Sequence, residues 1–366
     1  MEDEEAPLPI TSYACQWKLP RKRKENNARI SDLTFEKHVY GRVRKHHLNS
    51  IKDFDPRPPE FRGTLSARLP DFLMKVRGKA LGISVLADST SQIWSDDASR
   101  ESNFNLPSKQ QLLERVASFI DTLAVSEEKI REIERGTRDQ HRSPAWFNAR
   151  RYRLTASMFG EVLRRRVDTP PDALVLHIIE PKQFVSPSTE YGKKMESTAL
   201  EKYQALKNDP AITVCNAGFV IYKEKPYLGA TPDAYVHDPS RKEQYGLIEI
   251  KCPYKYRNIT PEDACFNSDF CCTLSTQAGT RTLKLKQSHP YYSQIQGQLA
   301  ITERKWCDFV IYTLKGISVE TVTYDERFWK DRLLPTLVGF YENCVAPEIV
   351  SPVHLIGMRV RDLRSL

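Results

Sequence analysis

The sequence predicts a mixed α/β fold in which a central β-sheet is flanked by helices. Short β-branched segments typical of buried strands occur at Gly218–Tyr222 and Leu247–Lys251, and Asp308–Val322 has the pattern of a hairpin. A helix is predicted at residues 291–301, between these strands. This order of elements favours a mixed sheet covered by helices.

Two further helices are predicted ahead of the strands. A capping-box pattern at Ser108 opens the first, and apolar residues follow at i, i+3, i+4 spacing on one face. The second is predicted to begin at Ser126 and to bury Ile130 and Ile133.

Composition shifts divide the 366-residue chain into five predicted segments. These are a basic, largely irregular leader (1–83), a Ser/Asp/Asn-rich linker (84–108), a helical segment packing on the core (109–139), the main α/β domain (140–345) and a C-terminal tail (346–366). The α/β core is thus expected to carry an N-terminal extension of helical and irregular character.

Positive charge is concentrated near the N-terminus. The formal net charge is +8, and residues 18–52 hold eleven Lys or Arg against three Asp or Glu. A basic leader on a neutral body indicates a polyanion or an import receptor as its partner, with a solvated basic tail as the alternative. Because Pro20–Lys24 is typical of nuclear-import signals, we expect an intracellular, nuclear protein, with a cytoplasmic location as the alternative.

Composition also argues against several classes of protein. No stretch approaches about 18 uninterrupted apolar residues, so no membrane span is predicted. The first residues are acidic, where a secretory signal would be basic and then apolar. Eight cysteines at irregular spacing predict free thiols in a reducing compartment. We therefore expect a soluble, unsecreted protein.

The strand Leu247–Lys251 carries the candidate chemistry. Successive side chains of a strand point to opposite faces, so Glu249 and Lys251 share one face while Ile248 and Ile250 pack into the core on the other. A buried charge without a partner is costly. The pattern therefore predicts a compensating ion or ligand beside the two charges, with a partly buried Glu–Lys ion pair as the alternative.

A second carboxylate is predicted to join this strand. Asp233 follows Thr231 and a proline in a turn shortly before the strand, and would converge with Glu249 on one divalent cation. Oxygen ligands of this kind suit Mg²⁺ or Mn²⁺. Such an ion makes a phosphoryl group more electrophilic and a bound water more acidic, and Lys251 would help to deprotonate that water or stabilise the developing charge. The pattern indicates a metal-dependent phosphodiesterase.

Five short motifs follow one another between residues 140 and 345. Thr231-Pro-Asp233 and Glu249-Ile-Lys251 resemble the signature of the PD-(D/E)xK nuclease superfamily. Within it, the chain resembles the phage lambda exonuclease and YqaJ-type viral recombinase family, through Trp146-Phe-Asn-Ala-Arg150 with Thr155-Ala-Ser157, Gly192-Lys-Lys-Met-Glu196 and Tyr292–Gln298. The resemblance implies a PD-(D/E)xK restriction-endonuclease-like core, a mixed central sheet flanked by helices.

The resemblance also implies a role for each acidic motif. The site would hold Mg²⁺, with Mn²⁺ as a substitute, and its ligands would be Asp233, Glu249, the backbone carbonyl of Ile250 and, directly or through water, Glu196. Lys251 would position or activate the attacking water, and Gln294 would support it.

A separate group of residues would bind DNA phosphates. Arg150 and Ser157 match the family residues that grip the 5′-phosphate of a DNA end, and the Thr231 hydroxyl can donate to a phosphate. Arg153 adds to the arginine cluster, and arginine suits bidentate phosphate contacts. If a helix begins near Thr155, its N-terminal amides add a second anion-binding element.

Three aromatic residues in or close to the first motif are expected to lie in the core. Base stacking is the alternative for these residues, which are Trp146, Phe147 and Phe159. Of the three glutamines in the Tyr292–Gln298 segment, Gln294 is the first candidate for the site, and Gln296 and Gln298 are expected on the helix surface or in a supporting role.

The activity implied by the family is Mg²⁺-dependent deoxyribonuclease action on linear double-stranded DNA ends, as a 5′-to-3′ exonuclease in recombination, repair or mobile-element processing. The family also implies a ring-shaped trimer and a protein partner that anneals single strands. The alternatives are an endonuclease of the same superfamily and a catalytically silent DNA-end-binding or scaffold module.

Overall fold

The structure is a computed structural model, and it describes residues 106–166, 168–181, 186–277 and 280–364. The predicted leader (1–83), its basic stretch Pro20–Lys24 and the linker up to residue 105 lie outside the described residues. Within those ranges, no helix combines the length and the apolar character that crossing a bilayer requires.

Helices and strands alternate along the described chain. The helices are α1 (Lys109–Thr122), α2 (Glu127–Gly136), α3 (Pro144–Arg150), α4 (Ala156–Arg164), α5 (Asp172–Ile179), α6 (Pro187–Lys207), α7 (Pro261–Ala264), α8 (Pro290–Thr302), α9 (Leu334–Phe340) and α10 (Ala346–Val350). The strands are β1 (Leu154–Thr155), β2 (Thr213–Asn216), β3 (Val220–Ile221), β4 (Leu228–Ala230), β5 (Ala234–His237), β6 (Tyr245–Lys251), β7 (Cys272–Gln277), β8 (Thr280–Leu285), β9 (Trp306–Thr313) and β10 (Gly316–Thr323).

The main sheet has five strands in the order β10-β9-β6-β5-β2. Strands β6 and β9 run parallel, with Glu249 opposite Phe309, and the other neighbours are antiparallel. A second sheet has the order β1-β4-β3, and β7 and β8 form a separate two-stranded ribbon. The predicted mixed α/β fold is confirmed, as is the hairpin, which forms β9 and β10.

The two predicted N-terminal helices are present with the expected caps. The Ser108 hydroxyl accepts from the amide of Gln111, whose side chain accepts from the Ser108 amide, which is a reciprocal capping box. Ser126 caps α2. The expected burial of Ile130 and Ile133 is wrong in degree, because both are only half-buried and α2 has no fully buried residue.

The five-stranded sheet lies between two helices that cover its opposite faces. Ile248 and Ile250 share a buried cluster with Tyr203 of α6. Leu247, on the other face of the same strand, shares a buried cluster with Leu299 of α8. The alternation of β6 therefore directs the side chain of Glu249, two residues from Leu247, towards α8.

A third buried cluster joins α1, α4 and the small sheet to the C-terminal helices. Two π-helical turns, Phe328–Leu333 and Tyr341–Val345, precede α9 and α10, so the chain is helical from Phe328 to Val350. Residues beyond 345, predicted as a tail, continue into this cluster, where Val360 and Leu363 are buried. This segment completes a hydrophobic core.

Helices α4 and α8 approach each other closely at Gly160. A Cβ at that position would lie 2.5 Å from the Cα of Pro290, the first residue of α8. The absence of a side chain thus allows α4 to lie against the start of the helix that covers Glu249.

Candidate active site

Glu249 is a charged side chain in the interior of the sheet. Glu249 as a whole is 1% exposed, and its carboxylate contacts one face of α8. Gln294 donates to its Oε1 at 2.6 Å, and Gln298 donates to its Oε2 at 2.8 Å. These two residues lie one helical turn apart on α8, so both amides point at the same carboxylate.

Lys251 completes the hydrogen bonding of this carboxylate. Its Nζ lies 2.5 Å from Oε1 of Glu249 and 4.8 Å from the centre of the Tyr291 ring. The side chains of Glu249 and Lys251 are 2% and 22% exposed, respectively. The ammonium therefore reaches the edge of the site while the carboxylate stays inside, so Lys251 is the member of the pair that can contact a ligand.

Asp233 is held at the start of β5 by the backbone of β6. Its amide donates to the carbonyl of Ile248 at 3.2 Å, and its Oδ2 accepts from the amide of Ile250 at 2.5 Å. The Ile250 side chain packs in the core on the α6 side. The backbone of Ile250 thus connects the Asp233 turn to the strand between Glu249 and Lys251.

The carboxylates of Asp233, Glu249 and Glu196 influence one another electrostatically. Burial, then Glu249 and Glu196, raise the pKa of Asp233 well above its usual value. Burial, then Glu249, raise the pKa of Glu196, which projects from α6. Burial favours neutral Lys251, but Glu249 and Asp233 offset this effect and leave the pKa of Lys251 raised. The site therefore combines a protonated lysine with carboxylates that disfavour further negative charge.

The donor set of this site suits a hard divalent cation. Three carboxylates face one ammonium, so negative charge is in excess, and all candidate ligands are oxygens. The Oε1 atom of Gln298 is buried without a hydrogen-bond partner beside Glu249. In the described ranges, no three Asp, Glu, His or Cys side chains are gathered tightly enough to hold an ion. In this arrangement the oxygens of Glu249 are instead engaged by Lys251 and the two glutamines.

A second cluster lies at the N-terminus of α4. Arg150 donates to the Thr155 hydroxyl at 3.4 Å, and that hydroxyl lies 3.1 Å from the hydroxyl of the exposed Ser157. The N-cap residue Thr155 makes no side-chain capping bond, so that cap leaves the first amides of α4 without an acceptor. A guanidinium, two hydroxyls and a helix N-terminus thus converge, as anion binding requires.

Trp146 connects the two clusters. The guanidinium of Arg150 lies 3.9 Å from the centre of the Trp146 ring, and the indole donates to the Thr231 hydroxyl at 3.1 Å. Burial lowers the pKa of Arg150 to about 10, because no carboxylate in the described chain pairs with it. The Thr231-Pro-Asp233 turn and the arginine are therefore held in one arrangement by a single aromatic side chain.

Arg153 does not join this anion site. Its guanidinium donates to the carbonyls of Pro226 at 2.8 Å, Ala149 at 2.9 Å and Leu123 at 3.2 Å. Contacts of this kind fasten α1 and the loop before β4 to the motif. Arg153, predicted beside Arg150 as a phosphate ligand, thus uses its guanidinium to bind backbone carbonyls within the domain.

Of the three aromatic residues predicted in the core, only Phe159 is fully buried. Its burial confirms the prediction, whereas the core prediction for Phe147 is wrong, since Phe147 is 51% exposed. Trp146 is half-buried and belongs to the site. Gln294 is the first candidate by sequence, yet Gln298 contacts Glu249 as well, and it is fully buried where a helix-surface position was one of the two expectations. The i, i+4 spacing of these two glutamines was the available signal, because it places them on one helix face.

Residues 145–305 match the YqaJ-like viral recombinase domain. The predicted resemblance to this family is confirmed over that range. The range includes β2, β5 and β6 with the acidic residues, whereas β9 and β10 of the same sheet follow it in the chain.

Several solved structures resemble this chain at low identity. An alkaline exonuclease from Laribacter hongkongensis is 21% identical, with 59% of this chain and 96% of that chain covered and a TM-score of 0.41. The Shutoff and Exonuclease Protein from Kaposi's sarcoma associated herpesvirus is 14% identical, with 68% and 75% covered and a TM-score of 0.38. A phage related exonuclease from Haemophilus somnus 129PT is 12% identical, with 56% and 96% covered and a TM-score of 0.34. No curated protein matches the sequence.

Proposed function

We propose that this domain is a metal-dependent deoxyribonuclease that removes nucleotides in the 5′-to-3′ direction from the ends of linear double-stranded DNA. The observation that carries the proposal is the buried Glu249, which accepts from Lys251 and two glutamines beside the carboxylates of Asp233 and Glu196. The family resemblance of the motifs supports the same activity. Mg²⁺ is the proposed ion.

The ligands proposed for the ion are the carboxylates of Asp233, Glu249 and Glu196, together with the carbonyl of Ile250. A divalent ion bound there would neutralise the excess negative charge, make the phosphoryl group more electrophilic and increase the acidity of water. The neutral amides of Gln294 and Gln298 orient Glu249 without adding charge. Their role is to fix the carboxylate, as donors to a metal ligand commonly do.

Lys251 remains protonated beside Glu249, because its pKa is raised. We therefore assign to its ammonium the orientation of the attacking water and the stabilisation of negative charge on the phosphoryl oxygens. Its partly exposed side chain allows this contact, whereas the buried Glu249 is oriented from behind by α8.

End recognition is assigned to the cluster at the N-terminus of α4. Arg150 and Ser157, with the free amides of α4, would bind a terminal 5′-phosphate. The contact of Trp146 with Thr231 would then set the position of that phosphate relative to Asp233. This coupling favours an enzyme that acts at an end over one that cuts internally.

The test is nucleotide release from linear double-stranded DNA with a 5′-phosphate, in Mg²⁺ and in EDTA. A circular duplex and the Lys251→Ala protein serve as controls. Mg²⁺-dependent loss of the linear substrate alone, abolished by the substitution, is the expected result. Cutting of circles would replace the exonuclease with an endonuclease, and intact DNA bound tightly by wild type would favour a silent end-binding module.

The other proposals concern partners and location. Trimerisation and an annealing protein are proposed from the family resemblance, and nuclear import from Pro20–Lys24. Size measurement by light scattering and localisation of a tagged chain, with and without that stretch, would test them.

A further inference from the structure

A pocket of about 270 Å³ lies at the end of β5 and β6 opposite to the carboxylates. Tyr245 begins β6, and Glu249 lies four residues further on, so the two are separated by about 13 Å at a strand rise of about 3.3 Å per residue. Tyr235 is paired with Leu247, and Tyr245 lies two residues before Leu247 in β6, so both side chains are on the face of Leu247. Because Leu247 packs against α8, the pocket lies on the α8 side of the sheet.

Arg304 supplies the positive charge of this pocket. The chain leaves α8 through Glu303, which has a left-handed backbone with φ 57°, and the Arg304 amide then donates to the carbonyl of Leu299 at 3.0 Å. This turn directs the arginine over the sheet. Its guanidinium carbon lies 5.5 Å from the centre of the Tyr245 ring and 6.0 Å from that of Tyr235.

The charge of Arg304 has no counterpart in the described part of the chain. Its Nε is buried and lacks a hydrogen-bond partner, and no described carboxylate forms an ion pair with it. Glu134, which acts on Tyr235 electrostatically, is already bound at both oxygens by Arg138, at 2.9 Å each. An unpaired, partly buried guanidinium of this kind calls for an anionic ligand.

The other wall of the pocket is formed by two aromatic rings that are tilted against each other. Tyr245 is 57% exposed, and its ring centre lies 4.7 Å from that of His237 at an interplanar angle of 33°. Aromatic rings of this kind bind nucleobases by stacking, independently of sequence. A guanidinium beside such a platform matches the two parts of a nucleotide, its phosphate and its base. A pocket of about 270 Å³ is too small to enclose more than one nucleotide unit.

We infer that the Arg304–Tyr245 pocket binds one nucleotide unit, with the phosphate on Arg304 and the base on Tyr245 and His237. The nucleotide is either free or part of a single strand, and both share this chemistry. The site is separate from the carboxylates, and it does not depend on cleavage there.

The experiment is photo-cross-linking with 5-iodouracil, which forms adducts with aromatic side chains on which it stacks. The full chain in EDTA is illuminated with 5-iododeoxyuridine monophosphate, or with a short oligothymidylate that carries one 5-iodouracil, and adducts are mapped by mass spectrometry. We expect an adduct at Tyr245 or His237. An adduct with the mononucleotide alone identifies a free nucleotide as the ligand, and an adduct with the oligomer identifies a single strand.

Variants separate the pocket from the active site. Arg304→Met should raise the probe concentration that gives half-maximal labelling roughly tenfold, which is the size of one lost charge-assisted contact. Tyr245→Phe should label at the wild-type concentration, and Tyr245→Ala, at an exposed position, should label weakly while keeping its thermal stability. Arg327→Ala removes an equal charge from a side chain that is 92% exposed and should change nothing.

Three results would overturn the inference. The first is the absence of any adduct at residues 237 or 245 with either probe. The second is labelling that Arg304→Met leaves unchanged. The third is loss of the adduct in Lys251→Ala, since labelling would then depend on the active site. An adduct that persists in Lys251→Ala supports the pocket even if the proposed nuclease activity fails its own test.

Discussion

Lys251→Met tests whether the lysine stabilises the buried carboxylate of Glu249. The substitution keeps an unbranched side chain as far as Cε and removes the ammonium 2.5 Å from Oε1. Breaking a buried ion pair by removing one partner costs about 3–5 kcal/mol. Two amides still donate to Glu249 and the Lys251 side chain is 22% exposed, so we expect the free energy of unfolding to fall by about 2–3 kcal/mol. In a domain of this size that corresponds to roughly 5–10 °C in Tm.

The assay is thermal unfolding of the full chain in EDTA, followed by circular dichroism. Glu249→Gln alone should destabilise little, because Lys251 keeps Asp233 nearby and the repulsion among the carboxylates falls. The double variant should regain most of the stability that Lys251→Met loses. Lys255→Met is the matched control, since Lys255 and Asp269 are also 2.5 Å apart but both are exposed.

A Tm for Lys251→Met within about 1 °C of wild type would contradict the reasoning, since it would mean that the ammonium contributes nothing to the buried carboxylate. An equal loss in Lys255→Met would contradict it as well. So would a double variant in which the two single losses simply add.

Four further predictions follow from other contacts. Arg150→Met should reduce the preference for 5′-phosphorylated over 5′-hydroxyl DNA roughly tenfold in a competition digest, whereas Arg151→Met should not. Gly160→Ala should cost about 1–3 kcal/mol in urea unfolding, because the new methyl group meets the backbone at the start of α8; an unchanged midpoint would refute this close approach. Burial, then Arg164 and Lys286, lower the pKa of His289 to about 4, so the unfolded state gains protons first and stability should fall as the pH drops from 6.5 towards 4. His289→Asn, which keeps an N-cap acceptor, should remove that part of the fall in urea midpoints, and an identical pH profile would count against it. Mg²⁺ should raise the Tm of the EDTA-treated protein but not that of Asp233→Asn; equal shifts would place the ion elsewhere.

Local sequence was sufficient for the elements that depend on neighbouring residues. The capping box at Ser108 and the apolar periodicity that follows it predicted α1, and the alternation in β6 predicted that Glu249 and Ile248 face opposite sides. These features follow from helix and strand periodicity, which is a property of the chain itself. Burial was less predictable: the exposed Phe147 and the half-buried Ile130 depend on which surfaces other segments cover.

The assignment of individual polar groups was decided by the tertiary structure. Arg150 and Arg153 are alike in sequence, yet Arg153 donates to carbonyls 30 and 73 residues away while Arg150 stacks on Trp146. Gln298 meets Glu249 across 49 residues. Hydrogen bonds between distant segments depend on how helices pack on the sheet, which no local pattern encodes. The sequence by itself therefore determined the acidic motif and its strand, and only the packing of α8 decided which side chains surround it, because that helix brings its glutamines to a carboxylate far away in the chain.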